Sequence, residues 1–189
     1  MKQAARSGWS GELASRLARK AGAAWADQRG VAAIEFSIFA LILFVSLANV
    51  TDVSIYIYQR MQVENATEVA AQAALASCST KLPATTNCPA LLTAMQNALQ
   101  STSLGTSVAF ITGSPAEGYY CINTSSALQF VSNVSSKPAD CTAAGTPALQ
   151  PGDYIRVQTT FTYQPLFGAL SVAGAFPTPI NRTAMMRLG

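Results

Sequence analysis

The sequence predicts an α+β protein, with a single long N-terminal transmembrane helix continuing into a small exterior domain with an antiparallel sheet. Three observations predict it. Half of the 189 residues are hydrophobic and only 11% are charged, against roughly 25% charged in an ordinary soluble domain, and most of the apolar excess lies in one block from Val31 to Tyr58. No Pro or Gly occurs between Gly30 and Pro83, so a helix begun in that block meets no breaker before about Ser77. After Pro83 the composition turns to Ser, Thr, Asn and Gly with short apolar runs, and the roughly 134 residues beyond the block suffice for one core but not two.

The chain opens with a basic leader, residues 1–30. Lys2, Arg6, Arg16, Arg19, Lys20 and Arg29 against Glu12 and Asp27 give it a charge of +4, which leaves −1 for everything after it in a chain of net charge +3. A transmembrane helix follows over residues 31–58. Sixteen residues from Phe36 to Thr51 carry no formal charge, bounded by Glu35 and Asp52, and apolar residues continue through Tyr58. At 1.5 Å per residue, Val31 to Tyr58 is about 42 Å of helix, more than the roughly 30 Å hydrocarbon core, with Tyr56 and Tyr58 as interfacial aromatics. Only Arg60 follows within seventeen residues, so the positive-inside rule puts the N-terminus in the cytoplasm. All four cysteines lie beyond the block, on the side that is then oxidising.

The same block also reads as a cleaved secretory signal, with an apolar region from Phe36 to Val45 and Ser46-Leu47-Ala48 as the site for a cut before Asn49. Against this stand the long basic region and an apolar pattern that continues past the cut without a turn residue.

Residues 59–80 read as the exterior continuation of the helix. Met61, Val63, Val69, Ala70, Ala73, Ala74 and Leu75 form a narrow apolar stripe among Gln59, Arg60, Gln62, Glu64, Asn65 and Glu68, suited to close packing on the protein's own sheet or on a neighbouring helix. Residues 81–189 make the exterior domain. Pro89 to Ser101 reads as a helix whose Leu91, Leu92, Met95, Ala98 and Leu99 share a buried face. Strands are predicted at Ser107–Thr112, Tyr119–Asn123, Leu128–Val131, Tyr154–Tyr163 and Arg182–Arg187. The Tyr154 run is the clearest, because Ile155, Val157 and Phe161 alternate with Arg156, Gln158, Thr160 and Thr162, the period of a strand with one wet face.

Cys78, Cys88, Cys121 and Cys141 allow three disulfide connectivities. Pairing Cys78 with Cys88 and Cys121 with Cys141 closes two local loops, each worth about 3 kcal/mol in the chain-entropy model. A four-cysteine zinc site is the competing reading, disfavoured by the lack of any C-x-x-C pair and by the compartment.

The chain has no histidine, which removes His-dependent triads, His general bases and mixed Cys/His zinc sites. It also has no G-x-S-x-G, P-loop, G-x-G-x-x-G or H-E-x-x-H. Glu64, Glu68, Glu117, Asp140 and Asp153 are scattered as solvated surface acids usually are. No catalytic residue, metal site or cofactor is expected, and the −1 charge beyond residue 30 leaves no basic surface for nucleic acid. Asn-x-Ser/Thr triplets such as Asn123-Thr124-Ser125 arise by chance in a Ser/Thr-rich chain.

Glu35, five positions after Gly30 at the edge of the apolar run, is either an acid lying among headgroups at a helix N-terminus or a group that needs a cation. Gly30, Val31, Glu35 and Phe36 together resemble the prepilin peptidase site of type IV pilin-like proteins, particularly of the Tad (Flp) group, where the cut follows the Gly. The resemblance implies that Gly30 ends a cytoplasmic leader, that Val31 becomes the new N-terminus, and that Glu35 pairs with the Val31 amine of another subunit. Phe36 stands where the family more often has Tyr. The stretch Gln59-Arg60-Met61-Gln62 to Ala66, with Ala70-Ala71, extends the likeness to TadE-like (TadE/TadF) proteins of the Tad pilus assembly system. Tyr154 to Tyr163, Pro165-Leu166 and Asn181 to Leu188 resemble that family's closing strand, turn and strand.

What the resemblance implies is a minor pilin-like (pseudopilin) subunit in the inner membrane, acting in pilus assembly and supporting adhesion. Its partners would be other pilin-like subunits, the Tad assembly platform and a prepilin peptidase. Two alternatives are a secreted ligand-binding domain released at Ala48 and a permanently anchored periplasmic scaffold.

Overall fold

The computed structural model describes residues 28–80 and 82–189. The basic leader expected over residues 1–30 therefore lies outside the described residues up to Asp27, as does Lys81. The chain divides into two compact units, Met1–Ala48 and Asn49–Gly189, and helix α1 (Gln28–Cys78) contributes to both.

In the first unit, every large apolar side chain from Val31 to Leu47 except Val45 is exposed. A helix apolar on all sides and uncovered is stable only in lipid or among other helices. It is the one candidate membrane span among the described residues. Its few hydroxyls suit that setting: Ser37 Oγ donates to the Ala33 carbonyl (2.7 Å) and Ser46 Oγ to the Ile42 carbonyl (2.9 Å), so neither needs water.

The second unit packs the rest of α1 on an antiparallel sheet, an α+β arrangement. Strands β1 (Val108–Phe110), β2 (Ala116–Ile122), β3 (Leu128–Asn133), β4 (Gly152–Phe161) and β5 (Ile180–Arg187) form it. Strand β4 is the organiser. It pairs with β5 along residues 154–161 on one edge, while β2 takes residues 152–156 and β1 residues 159–161 of the other; β3 extends the sheet beyond β2. At Gly118, where β2 lies between β4 and β3, a Cβ would sit 2.7 Å from Phe130 Cε2 and 3.0 Å from the Ser132 carbonyl oxygen, so a larger residue would displace that ring and press on the neighbouring strand.

Alternation along β4 turns Ile155, Val157, Thr159 and Phe161 inward. They meet the α1 stripe of Val63, Ala66, Thr67, Ala70, Ala71, Ala74 and Cys78, all buried and mostly small. Small side chains let the helix approach the sheet closely, and Thr67 Oγ1 hydrogen-bonds Thr159 Oγ1 at 2.6 Å across the contact. Met61, expected in this stripe, is 63% exposed; it lies off the helical period on which Tyr56, Val63, Ala66 and Ala70 are buried. Helix α2 (Ala84–Asn87) is a single turn, and α3 (Leu91–Gln100) buries Leu91, Met95 and Leu99. Leu92, also expected inside, is exposed, because the residue next to Leu91 points about 100° away around a helix.

The largest difference from the sequence expectation concerns where the folded unit starts. The sequence places residues 49–58 in the membrane segment, with Tyr56 and Tyr58 as interfacial aromatics. Tyr56 is instead buried in the core, edge-on to Tyr163 (5.1 Å between centroids) and tilted against Phe176 (4.9 Å). Tyr58 is exposed. Hydropathy alone does not separate apolar residues that face lipid from apolar residues that face a sheet.

Candidate anchor and assembly site

Gly30, Val31, Glu35 and Phe36 occupy the first turns of α1, and all are exposed. A side chain added at Gly30 would meet open space, so packing does not require a Gly there. Its helix propensity does matter: Gly lowers helix stability by about 1 kcal/mol relative to Ala. Among the described residues Glu35 makes no ion pair, and Phe36 is 74% exposed. The span thus presents an acid and an aromatic outward beside the glycine.

The start of the second unit holds a polar cluster that the sequence reading did not single out. Asp52 is fully buried. Its carboxylate accepts the Leu166 N–H on Oδ1 (3.0 Å) and the Phe167 N–H on Oδ2 (3.2 Å), while its own carbonyl accepts the Tyr163 hydroxyl (3.1 Å). One turn earlier, Asn49 bonds the same loop twice, Nδ2 to the Leu170 carbonyl (3.1 Å) and Oδ1 from the Val172 N–H (2.7 Å). The Tyr56 hydroxyl reaches the Pro177 carbonyl at 3.1 Å. These side chains together tie the segment between β4 and β5 to the helix. The signal available in sequence was an Asp ending an apolar run, a group that must find donors if it is covered.

The four cysteines pair as Cys78–Cys88, with Cα atoms 5.9 Å apart, and Cys121–Cys141, 5.7 Å apart. The first fastens the end of α1 to the segment holding α2. The second joins β2 to the loop after β3 and, with Ala144, forms a small second core.

At the far end of β4, Glu117 accepts the N–H groups of Ala84 and Thr85, each at 2.6 Å, at the start of α2. Asp153 lies beside it, 5% exposed, with Oδ1 making no hydrogen bond. Burial first, and then the Glu117 carboxylate, push the Asp153 carboxyl up to about 6, against a smaller opposing pull from Lys137. Asp153, Lys137, Tyr119 and Arg187 line an open hollow of about 400 Å³. A groove of about 530 Å³ between α3 and β1 is lined by Leu92, Leu99, Phe110 and Thr112 and by no titratable side chain. Among the described residues, no three His, Cys, Asp or Glu side chains are grouped to hold a metal ion.

These features define a class, a chain with one candidate membrane-spanning helix and a small disulfide-bonded α+β unit. Residues 30–72 match the family model described as TadE-like protein, the family the sequence resembles. The match takes in the span and most of the helix that packs on the sheet. That family points to involvement in Tad pilus assembly and is not known for enzymatic activity. No curated protein and no solved structure matches the chain.

Proposed function

We propose that the chain is a minor pilin-like subunit of the Tad pilus machinery, anchored in the inner membrane and acting in pilus assembly. The observation that carries this reading is the extent of the family match, which opens at Gly30 and runs through residue 72. In this reading a prepilin peptidase cuts between Gly30 and Val31, with residues 1–30 as a cytoplasmic leader and the exterior unit in the periplasm or in a filament. The amine freed at Val31 and the Glu35 carboxylate of another subunit then neutralise one another among packed helices, where either charge alone is costly. The exposed apolar surface from Val31 to Leu47 serves first as a lipid contact and then as a helix contact with other pilin-like subunits and the assembly platform. An exposed sheet face bearing Leu128 and Phe130 is available for adhesion.

A second reading has a structural observation in its favour. The folded unit begins at Asn49, the residue that a signal peptidase cut after Ala48 would leave first. Intact mass and terminal sequencing of the protein extracted from native membranes separate the readings. A chain beginning at Val31 is the expected result. A start at Asn49 would mean a secreted domain and would overturn the proposal, and an intact Met1 would leave an uncleaved scaffold.

A further inference from the structure

The twenty-five residues 157–181 contain no Lys, Arg, Asp or Glu. Most of this stretch is the segment between β4 and β5, which forms two short 3-10 turns, Gly168–Leu170 and Val172–Ala175. The segment has two sides. Ala173 and Phe176 turn into the core with Tyr163, whereas Leu166, Leu170 and Val172 stand 69%, 61% and 59% exposed. A slack loop would fold such side chains away from water. This one is held by hydrogen bonds to three side chains of α1: the Leu166 and Phe167 N–H groups donate to Asp52 and the Val172 N–H to Asn49, while Asn49 and Tyr56 donate to the Leu170 and Pro177 carbonyls. The exposed apolar group is therefore built into the fold, and such groups mark contact surfaces.

The position of the anchoring residues in the chain identifies what covers it. Asn49 and Asp52 directly follow the exposed apolar run, and Val50 between them is itself 64% exposed. Twenty residues of helix from Val31 to Val50 span about 30 Å, the thickness of a hydrocarbon core. A span in that register leaves Asn49 and Asp52 at the headgroup boundary. If Glu35 instead stays among headgroups, twenty residues from Phe36 end at Ile55, and Asn49 and Asp52 lie deeper. The first register brings a loop bonded to those two residues to the depth of the interface and the second takes it just inside the hydrocarbon, and an aliphatic surface is favoured at both depths.

We infer that the segment between β4 and β5 is a second, interfacial membrane contact, with Leu166, Leu170 and Val172 inserted at the boundary of acyl chains and headgroups. The occupant is the bilayer that holds the span, so the inference rests on the membrane-anchor reading. A subunit leaving the bilayer for a filament would have to withdraw this segment.

Single-tryptophan reporters test this in the full chain, with Trp9→Phe and Trp25→Phe clearing the background. The protein is placed in phosphatidylcholine/phosphatidylglycerol vesicles carrying brominated acyl chains. Ile42→Trp reports the span, and Leu170→Trp reports the loop, with Val172→Trp as a second reporter should the first disturb folding. Leu149→Trp, near the Gly152 end of β4, lies at the other end of that strand from the loop. The expected result is loss of most emission from the Ile42 and loop reporters, a blue-shifted maximum for both, and no quenching at Leu149. An Ile42 reporter that is quenched beside a loop reporter that is not would overturn the inference and leave the anchor intact. An unquenched Ile42 reporter would remove the anchor reading itself. A loop reporter shielded from acrylamide yet indifferent to brominated lipid would mean a protein neighbour covers the segment, which also overturns it.

Discussion

Replacing Asp52 by Ala should release the segment between β4 and β5 while leaving the sheet folded. The carboxylate is fully buried and accepts two backbone N–H groups, at 3.0 and 3.2 Å. Hydrogen bonds to a charged acceptor are worth about 1.5–3 kcal/mol each, and both donors are only partly buried, so water recovers some of the loss when the carboxylate is removed. A net cost of about 3 kcal/mol follows from the lower end of that range. The Asn49 and Tyr56 bonds to the same segment persist, so the cost falls on local opening before global unfolding. Every 1.4 kcal/mol is a factor of ten, and amide exchange across 164–178 should accelerate about 100-fold. Hydrogen–deuterium exchange of the detergent-solubilised full chain measures it, with peptides covering Gly152–Phe161 as the internal reference. Asp52→Asn, which keeps one carbonyl acceptor and loses the charge, should fall between the two. An acceleration below about threefold, or one shared equally by β4, would refute the reasoning that Asp52 holds this segment in particular.

Glu35→Ala should leave membrane insertion unchanged and reduce pilus assembly, scored by filament counts on cells; normal piliation would sink the charge-pairing idea. Asp153 makes stability depend on pH in an unusual direction. Its carboxyl is pushed up to about 6 in the folded chain, above its unfolded value near 3.9, so the folded state binds the extra proton. The Asp153 contribution to stability should therefore be fully present below about pH 4, fall by up to about 3 kcal/mol as pH rises through 6, and level off above it. Asp153→Asn should flatten that profile in tyrosine near-UV melts, and parallel curves for the two proteins would contradict the assignment. Converting both Cys121 and Cys141 to Ser should lower stability to urea by about 3 kcal/mol for a loop of this length, and an unchanged midpoint would show that the loop is held by its packing alone.

The hydropathy block, the unbroken stretch from Gly30 to Pro83 and the period-two run at Ile155–Phe161 sufficed to predict a long helix followed by an antiparallel sheet, because those signals are local and repeat many times. Strands β3 and β5 were legible to within two residues of where they lie. Single-turn α2 and the 3-10 turns left no periodic trace, since elements so short show less than one repeat. The Gly30 to Phe36 stretch carries its motif by resemblance, and its residues stand exposed at the start of α1.

What the sequence determined by itself is the presence and order of the long helix, α3 and the strands, since backbone propensity and apolar period are properties of neighbouring residues. Tertiary structure alone decided which apolar residues after Ala48 are buried in the folded unit. Tyr56 is as apolar in a hydropathy plot as Tyr58, yet one is 8% exposed against Tyr163 and Phe176 and the other 58% exposed. Asp52 looked like the charge that ends a membrane segment and is instead a buried acceptor for amides 114 and 115 residues away. Such pairings depend on where β4 delivers the chain after its last residue, and no local pattern of apolar and polar residues encodes a partner that distant.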